Sequence, residues 1–180
     1  MAYAIVRTDK MFGTDDRNGM VSARYVVDTT ETAIENGNVV RLDGLFRYGA
    51  GTTASPYTYE REIYKAVAPA ANSSLKDIVL VATPEVPEVV KGDGKKGLEN
   101  FRNEAGDALR GYHLVTNDIF SVTKDALDGA ATPAIGNLVE LKAGTKLNVV
   151  ASATGGSTQV GKIIAINVVG GKTFYVIQVG

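Results

Sequence analysis

The sequence predicts a mainly β protein whose antiparallel sheets form one or two small barrel- or sandwich-like units, with one or two short helices. Three observations lead to this prediction. Strand-length runs with period-two patterning recur along the chain, those runs are rich in β-branched and aromatic residues, and glycine or asparagine turns separate them. The 180 residues are enough for one core or for two small β units that share an interface.

The N-terminal half contains five strand-length runs. They cover residues 4–7, 20–27, 37–42, 57–67 and 77–82. We expect the first run to join a sheet of its own chain rather than a neighbour's. Both faces of the run 57–67 mix charged residues with aromatic or apolar ones, so we expect it to be an exposed or edge strand.

Two segments predict short helices. In residues 98–109, the side chains of Leu98, Phe101, Ala105 and Leu109 would share one helical face. Gly106 weakens this helix by about 1 kcal/mol relative to alanine. The second helix would start with Thr123 as its N-cap and stop before Gly129.

The C-terminal segment gives the strongest hairpin signal. The runs 162–169 and 172–179 flank Gly170-Gly171, and two glycines permit the positive φ angles of a type I′ turn. The runs 138–141 and 145–151 form a second hairpin-like pair. We therefore predict an N-terminal β-rich unit over 1–115 and a C-terminal barrel-like unit over 116–180, with a single domain as the alternative.

Composition restricts the classes of function. The chain has no cysteine, which rules out disulfides, thiolate nucleophiles and cysteine metal sites. Its formal net charge of -1 gives no general footprint for nucleic acid or for an anionic membrane, and a nearly neutral chain favours self-association. No run approaches about 18 apolar residues, and the first ten lack a signal-peptide pattern. The absence of cysteine fits folding inside the cell, and it also fits some exported bacterial proteins.

The motifs of common catalytic sites fail when they are examined position by position. A calcium loop aligned on Gly19 has Thr14 first and Tyr25 last, where carboxylates are required. The glycine-rich residues 92–97 lack the spacing and the hydroxyl of a phosphate loop. His113 is the single histidine and reads as a partly buried strand residue. We expect no enzyme activity, no cofactor and no metal, with a carboxylate-pair glycosidase as the enzymatic alternative.

Aromatic residues supply the candidate contact site. Tyr48, Tyr57 and Tyr59 flank a loop of small residues between two predicted strands. Such side chains contribute to protein interfaces, and they also stack on sugar rings in carbohydrate-binding modules.

Seven segments carry a resemblance to a known family, and they follow one another along nearly the whole chain. They are MAYAIVRTD (1–9), IENGNVV (34–40), DIVLVATPEV (77–86), NEAG (103–106), RGY (110–112), DIFSVT (118–123) and VGKIIAI (160–166). Together they resemble an uncharacterised family of virion structural, head-associated proteins of tailed bacteriophages that infect Gram-positive bacteria.

The resemblance implies a capsid decoration (cement) or head-fibre-base protein, made in the bacterial host cytoplasm and located on the virion head. Its partner would be the major capsid protein, and we expect it to be a homo-oligomer. The family offers no site motif, so no catalytic or binding residue follows from the resemblance. A tail or baseplate protein and a carbohydrate-binding β module remain the alternative hypotheses.

Overall fold

The computed structural model describes residues 3–7, 19–49, 52–56, 58–84 and 101–180, without the side chains of residues 59–61. These residues form twelve strands in two six-stranded sheets, with two single turns of 3-10 helix at Leu75–Asp77 and Lys124–Ala126. The mainly β fold class is therefore confirmed.

The first sheet closes on itself. Its strands are β1 (Met20–Val27), β2 (Thr30–Glu31), β3 (Val39–Tyr48), β4 (Thr58–Val67), β5 (Ile78–Val81) and β6 (Leu109–His113), in the order β2-β1-β4-β3-β5-β6. Strand β1 also pairs with β6, so β1, β4, β3, β5 and β6 form a closed ring. We call this ring the barrel. The pairing of β1 with β4 is parallel, so the sheet is mixed, whereas the sequence indicated antiparallel pairing.

Small residues fill the narrow interior of the barrel. Ala23 and Ala66 are fully buried there with Val79 and Leu109. At Gly111, a Cβ atom would lie 2.7 Å from a methyl group of Val79, so a five-stranded ring of this width has room only for glycine at that point. Strand β5 alternates strictly between the barrel interior and a second core on its other side.

The second sheet is open. Its strands are β7 (Ile119–Thr123), β8 (Leu127–Gly129), β9 (Leu138–Glu140), β10 (Leu147–Val150), β11 (Gln159–Val169) and β12 (Lys172–Val179), in the order β7-β12-β11-β9-β10-β8. The pairing of β8 with β10 is parallel. The N-terminal segment 3–7 covers the outer edge of β7, where Val6 bridges Val122 and the Arg7 amide donates to the Ser121 carbonyl. That segment thus joins a sheet of its own chain, as expected.

The barrel and the second sheet share one hydrophobic core. Ile78 and Leu80 of β5 pack in the same buried cluster as Phe120, Leu141 and Ile177. Backbone hydrogen bonds also connect the two, including 2.7 Å from the amide of residue 39 to the carbonyl of residue 145. The predicted boundary between 115 and 116 falls between β6 and β7. That the two halves are separate units stays a prediction.

The two helix predictions had different outcomes. The described part of 98–109 is not helical, because Asn103 forms a two-way backbone bridge with Ile34 and Gly106 adopts a φ of +89°. Leu109 instead begins β6. The second helix exists as one 3-10 turn after Thr123, but no side-chain hydrogen bond caps it, and β8 follows at once.

The predicted hairpins are confirmed. Gly170 and Gly171 have φ angles of 58° and 76° between β11 and β12, as a type I′ turn requires. Strands β9 and β10 form the second antiparallel pair. The prediction of an exposed or edge strand for 57–67 was wrong over its second half, because Ile63–Ala66 pair with β1 on one side while β3 pairs on the other.

Candidate functional site

A groove lies on the barrel surface where β3 departs from regular pairing with β4. The register shifts between Leu42 and Leu45 and again between Leu45 and Arg47. Gly44 lies within the first shift with a φ of +79°, a conformation that glycine adopts without strain because it has no Cβ. The two irregularities bend β3 away from a regular ladder and so shape the groove.

The groove has a volume of about 610 Å³ and combines charged walls with apolar ones. The charged lining residues are Asp28, Glu31, Asp43, Arg47 and Lys65, and the apolar ones include Val26, Leu45 and Phe46. They come from β1, β2 and the turn between them, from β3, and from one position of β4. Such a mixture suits a ligand or a protein surface that has both polar and apolar parts.

An aromatic pair and an arginine stand beside the groove. The rings of Phe46 and Tyr48 meet edge to face with centroids 5.0 Å apart. The Arg24 guanidinium lies 5.4 Å from the Phe46 ring centroid and 5.9 Å from that of Tyr48. It also donates to Glu31 at 3.1 Å. These contacts hold the Tyr48 ring in one orientation although 43% of the residue is exposed.

Asp43 lines the groove and lies beside two basic side chains. Its carboxylate lies 3.2 Å from an Arg41 nitrogen and 3.5 Å from the Lys65 ammonium. More than a third of each side chain is exposed, so solvent screens these pairs and they add little to stability. This part of the groove therefore carries charges of both signs rather than a purely acidic or purely basic patch.

The rim of the groove exposes apolar area. Val27, Leu45 and Tyr48 are each more than 40% exposed. Leu45 lines the groove, and Val27 and Tyr48 directly follow or precede lining residues along the chain. Exposed apolar side chains beside charges of both signs are typical of a surface that contacts another molecule.

Of the three predicted tyrosines, only Tyr48 has a side chain that the structure describes. Tyr48 is exposed beside the groove, next to the lining residue Arg47. Tyr59 pairs with Arg47 and Thr58 with Tyr48 in the register of β4 with β3. Tyr57 and the side chain of Tyr59 lie outside the described residues. That these tyrosines form a contact site stays a prediction.

Sequence reasoning missed the residues that build the groove around Tyr48. The predicted strand ended at Leu42, because Asp43-Gly44 reads as a turn. Strand β3 instead continues through these residues to Tyr48 by forming a bulge. A usable signal existed in the apolar and aromatic residues that follow, since Leu45 and Phe46 resume a strand-like pattern directly after the glycine.

Two buried carboxylates, Glu140 in β9 and Asp118 just before β7, each accept a hydrogen bond from a loop amide. Burial raises the pKa of Glu140, but hydrogen bonds from Thr154 and Asn148 outweigh burial and keep that pKa below its usual range. Burial raises the pKa of Asp118, and a hydrogen bond from the Val115 amide offsets only part of the rise. Both carboxylates accept backbone N–H groups of loop residues, so their role is structural.

Neither a metal site nor a membrane helix is visible in the described residues. Within them, no group of three His, Asp or Glu side chains is placed to hold a metal ion. Nor do they contain a helix with the length and apolar character needed to span a bilayer.

Comparison with known proteins gave no match. No family model, no curated protein and no solved structure is significantly similar to this chain.

Proposed function

We propose that this chain is a structural protein of the virion of a tailed bacteriophage, a decoration or head-fibre-base protein that binds the assembled capsid shell. The observation that carries the proposal is the resemblance of seven segments, in order, to head-associated phage proteins. The partner it requires is the major capsid protein, and its location would be the outside of the head.

The segments that carry the resemblance lie on the framework of the fold. Residues 34–40 and 103–106 contain the bridge between Ile34 and Asn103, and residues 77–86 contain β5. Residues 118–123 contain β7, and residues 160–166 belong to β11. The resemblance therefore concerns the residues that fix the two sheets. This supports a shared architecture, whereas the contact surface of this chain has to be argued from its own geometry.

The groove is the surface that we propose for contact with the shell. Its apolar side chains can exclude water from an interface, and the charges of Glu31 and Asp43 already have partners within the chain. Tyr48 is held by Phe46 and Arg24, so little conformational freedom is lost when it is covered. Tyrosine is also one of the residue types that dominate the binding energy of many interfaces.

Quantitative mass spectrometry of purified virions tests the proposal. We expect a copy number comparable to that of the major capsid protein. A few copies per particle would replace the decoration role with the alternative tail or baseplate role. Absence of the chain from virions would contradict both.

A second test addresses the contact surface. Purified chain should bind capsids that lack it, and Tyr48→Ala should weaken that binding. Val115→Ala is the matched control, because Val115 is 58% exposed and lies in the connection between β6 and β7, outside the groove. Equal binding by both variants would remove the groove from the proposal but leave the virion role open to the copy-number test.

A carbohydrate-binding module is the second candidate function, and the groove itself favours it. Sugars bind through stacking on exposed aromatic rings and through hydrogen bonds to carboxylates and amines. The Tyr48 ring, the carboxylates of Glu31 and Asp43 and the Lys65 amine provide these groups on or beside a cavity of about 610 Å³. Binding on a glycan array that Tyr48→Ala abolishes would favour this function, and a blank array would exclude it.

A further inference from the structure

One part of the second sheet has an edge that no other described residue covers. Strand β9 pairs with β11 only over residues 159–162. Ile163 then exchanges backbone hydrogen bonds with Gly136 and Asn137. Beyond Ile163, no strand or loop among the described residues pairs with this side of β11, although β11 runs on to Val169.

The hairpin geometry shows which backbone groups face outward. The closing pair of a two-residue hairpin, Val169 with Lys172, is hydrogen-bonded, and so is every second pair after it. The pair of Asn167 with Phe174 therefore also points its backbone groups inward. The N–H and C=O groups of Ile166 and Val168 point to the uncovered side.

The side chains along this edge are apolar and exposed. Val168 is 71% exposed and Ile166 37%, and they share one face of β11. Ile135, which is 64% exposed, directly precedes Gly136 at the point where pairing stops. Residues 163–169 contain no charge and no proline, the two devices by which natural proteins commonly protect an edge.

We infer that this edge of β11 binds the same edge of a second copy of the chain, as an antiparallel strand pair with its two-fold axis at Asn167. This inference goes beyond the proposed virion role and does not depend on it. In this arrangement, Ile166 of each copy lies opposite Val168 of the other. Each of these two pairs can exchange two backbone hydrogen bonds.

The end of the hairpin selects this register. With the axis at Asn167, Val169 of one copy lies opposite Ala165 of the other, and the partner's strand ends before Ile163. Moving the axis to Ile166 would place Val169 opposite Ile163, whose backbone groups already bind Gly136 and Asn137. The register at Asn167 uses both outward-facing residues and displaces no existing bond.

Self-complementarity favours a second copy over an unrelated strand. Across the axis, the two copies of Ile166 and Val168 would form one continuous apolar stripe, so each copy covers the exposed residues of the other. On the opposite face, the exposed Asn167 residues would meet each other, and two amides can hydrogen-bond. No like charges oppose each other within residues 164–169.

Charge at position 167 tests the inference, because only a two-fold axis places a residue opposite itself. By sedimentation analysis of the purified chain, we expect a concentration-dependent dimer for the wild type. Asn167→Lys and Asn167→Glu should each be monomeric, since like charges directly opposite each other repel. An equimolar mixture of the two variants should regain the dimer.

Thr173→Lys is the matched control. Thr173 is exposed on the same hairpin but belongs to β12, which lies on the other side of β11 from the uncovered edge. This variant should dimerise like the wild type, and circular dichroism checks that all variants fold. A monomeric wild type, a dimeric Asn167→Lys variant, or a mixture that stays monomeric would each overturn the inference. None of these results depends on whether virions contain the chain.

Discussion

In the barrel, β1 pairs with both β4 and β6, so each of the five strands in the ring has a neighbour on both sides. In the second sheet, β7 and β8 are terminal and segment 3–7 covers β7. Within the part of the chain that the structure describes, no strand covers one side of half of β11. Most backbone groups of the ring are paired, although β5 pairs with β3 only at residues 39–41 and β1 with β4 only at residues 63–66, so we expect contacts of the barrel to be made mainly through side chains. An open sheet can also bind through its backbone, and the two regions therefore suit different kinds of contact.

The core between the barrel and the second sheet provides the largest expected effect. Leu80 is fully buried there, and Leu80→Ala should lower the free energy of unfolding by about 2–5 kcal/mol, because it leaves a cavity that two sheets border. Urea unfolding monitored by circular dichroism measures this.

Val115→Ala is the control for that experiment, and it should change the free energy of unfolding by less than about 0.5 kcal/mol because Val115 is exposed. A loss below about 1 kcal/mol in Leu80→Ala would mean that the shared core contributes little, against the expectation for a buried leucine. The barrel and the sheet would then have to be regarded as largely independent.

The second-largest loss of stability is expected from filling the narrow interior of the barrel. Gly111→Ala should destabilise the protein by about 1–3 kcal/mol, because the new methyl group would press against Val79 and Val21 inside the ring. Gly155→Ala is the matched variant, since a Cβ at Gly155 meets no atom within 4 Å. Thermal melts of the two variants compare them. Equal melting temperatures would show that the ring is wider than its pairing implies.

Acid should affect the second sheet through Glu140. Its pKa is lower in the folded state, so the ionised carboxylate stabilises the fold above its unfolded pKa, and this contribution is lost as the pH falls through the folded pKa. Glu140→Gln should cost about 1 kcal/mol at neutral pH and should reduce the loss of stability in acid. Urea unfolding from neutral to acidic pH measures both.

The contribution of Asp118 to stability should change with pH in the direction opposite to that of Glu140. Its pKa is raised in the folded state, so the group stabilises the fold below its unfolded pKa, and that contribution is lost as the pH rises through the folded pKa. Asp118→Asn should therefore not share the neutral-pH loss of Glu140→Gln, because the amide oxygen can still accept from Val115. The same direction of change in both variants would contradict these assignments.

The smallest effect on stability is expected at the groove. Tyr48→Ala removes an edge-to-face ring contact and a cation–π contact at an exposed position, so the loss should stay at about 1 kcal/mol or less. The same variant should weaken capsid binding, which separates a contact residue from a structural one. A large loss of stability would indicate that Tyr48 supports β3.

Local patterns predicted the hairpins well because their information lies within a few residues. Gly170-Gly171 and the flanking alternation were sufficient for β11 and β12. The helix predicted over 98–109 failed in its described part because the Ile34–Asn103 bridge joins positions far apart in the chain. The pairing of β1 with β6 and the two parallel pairs were not predicted for the same reason. Sequence spacing does not encode which distant strands meet.

The candidate site was predicted only through Tyr48. The groove depends on a bulge at Gly44, and Asp43-Gly44 fits a turn as well as a bulge. The placement of Arg24 over the rings depends on β1 lying next to β4. Neither feature follows from local sequence. The edge at β11 could be recognised only once the short length of β9 was known.

A cryo-electron microscopy map of the intact particle tests the central claim most directly. The account predicts density for this chain on the outside of the head, at a copy number comparable to the capsid protein, with the Tyr48 groove toward the shell. Two copies should meet along β11 with Asn167 on the axis between them. A head whose outer surface shows no density for the chain would contradict the account.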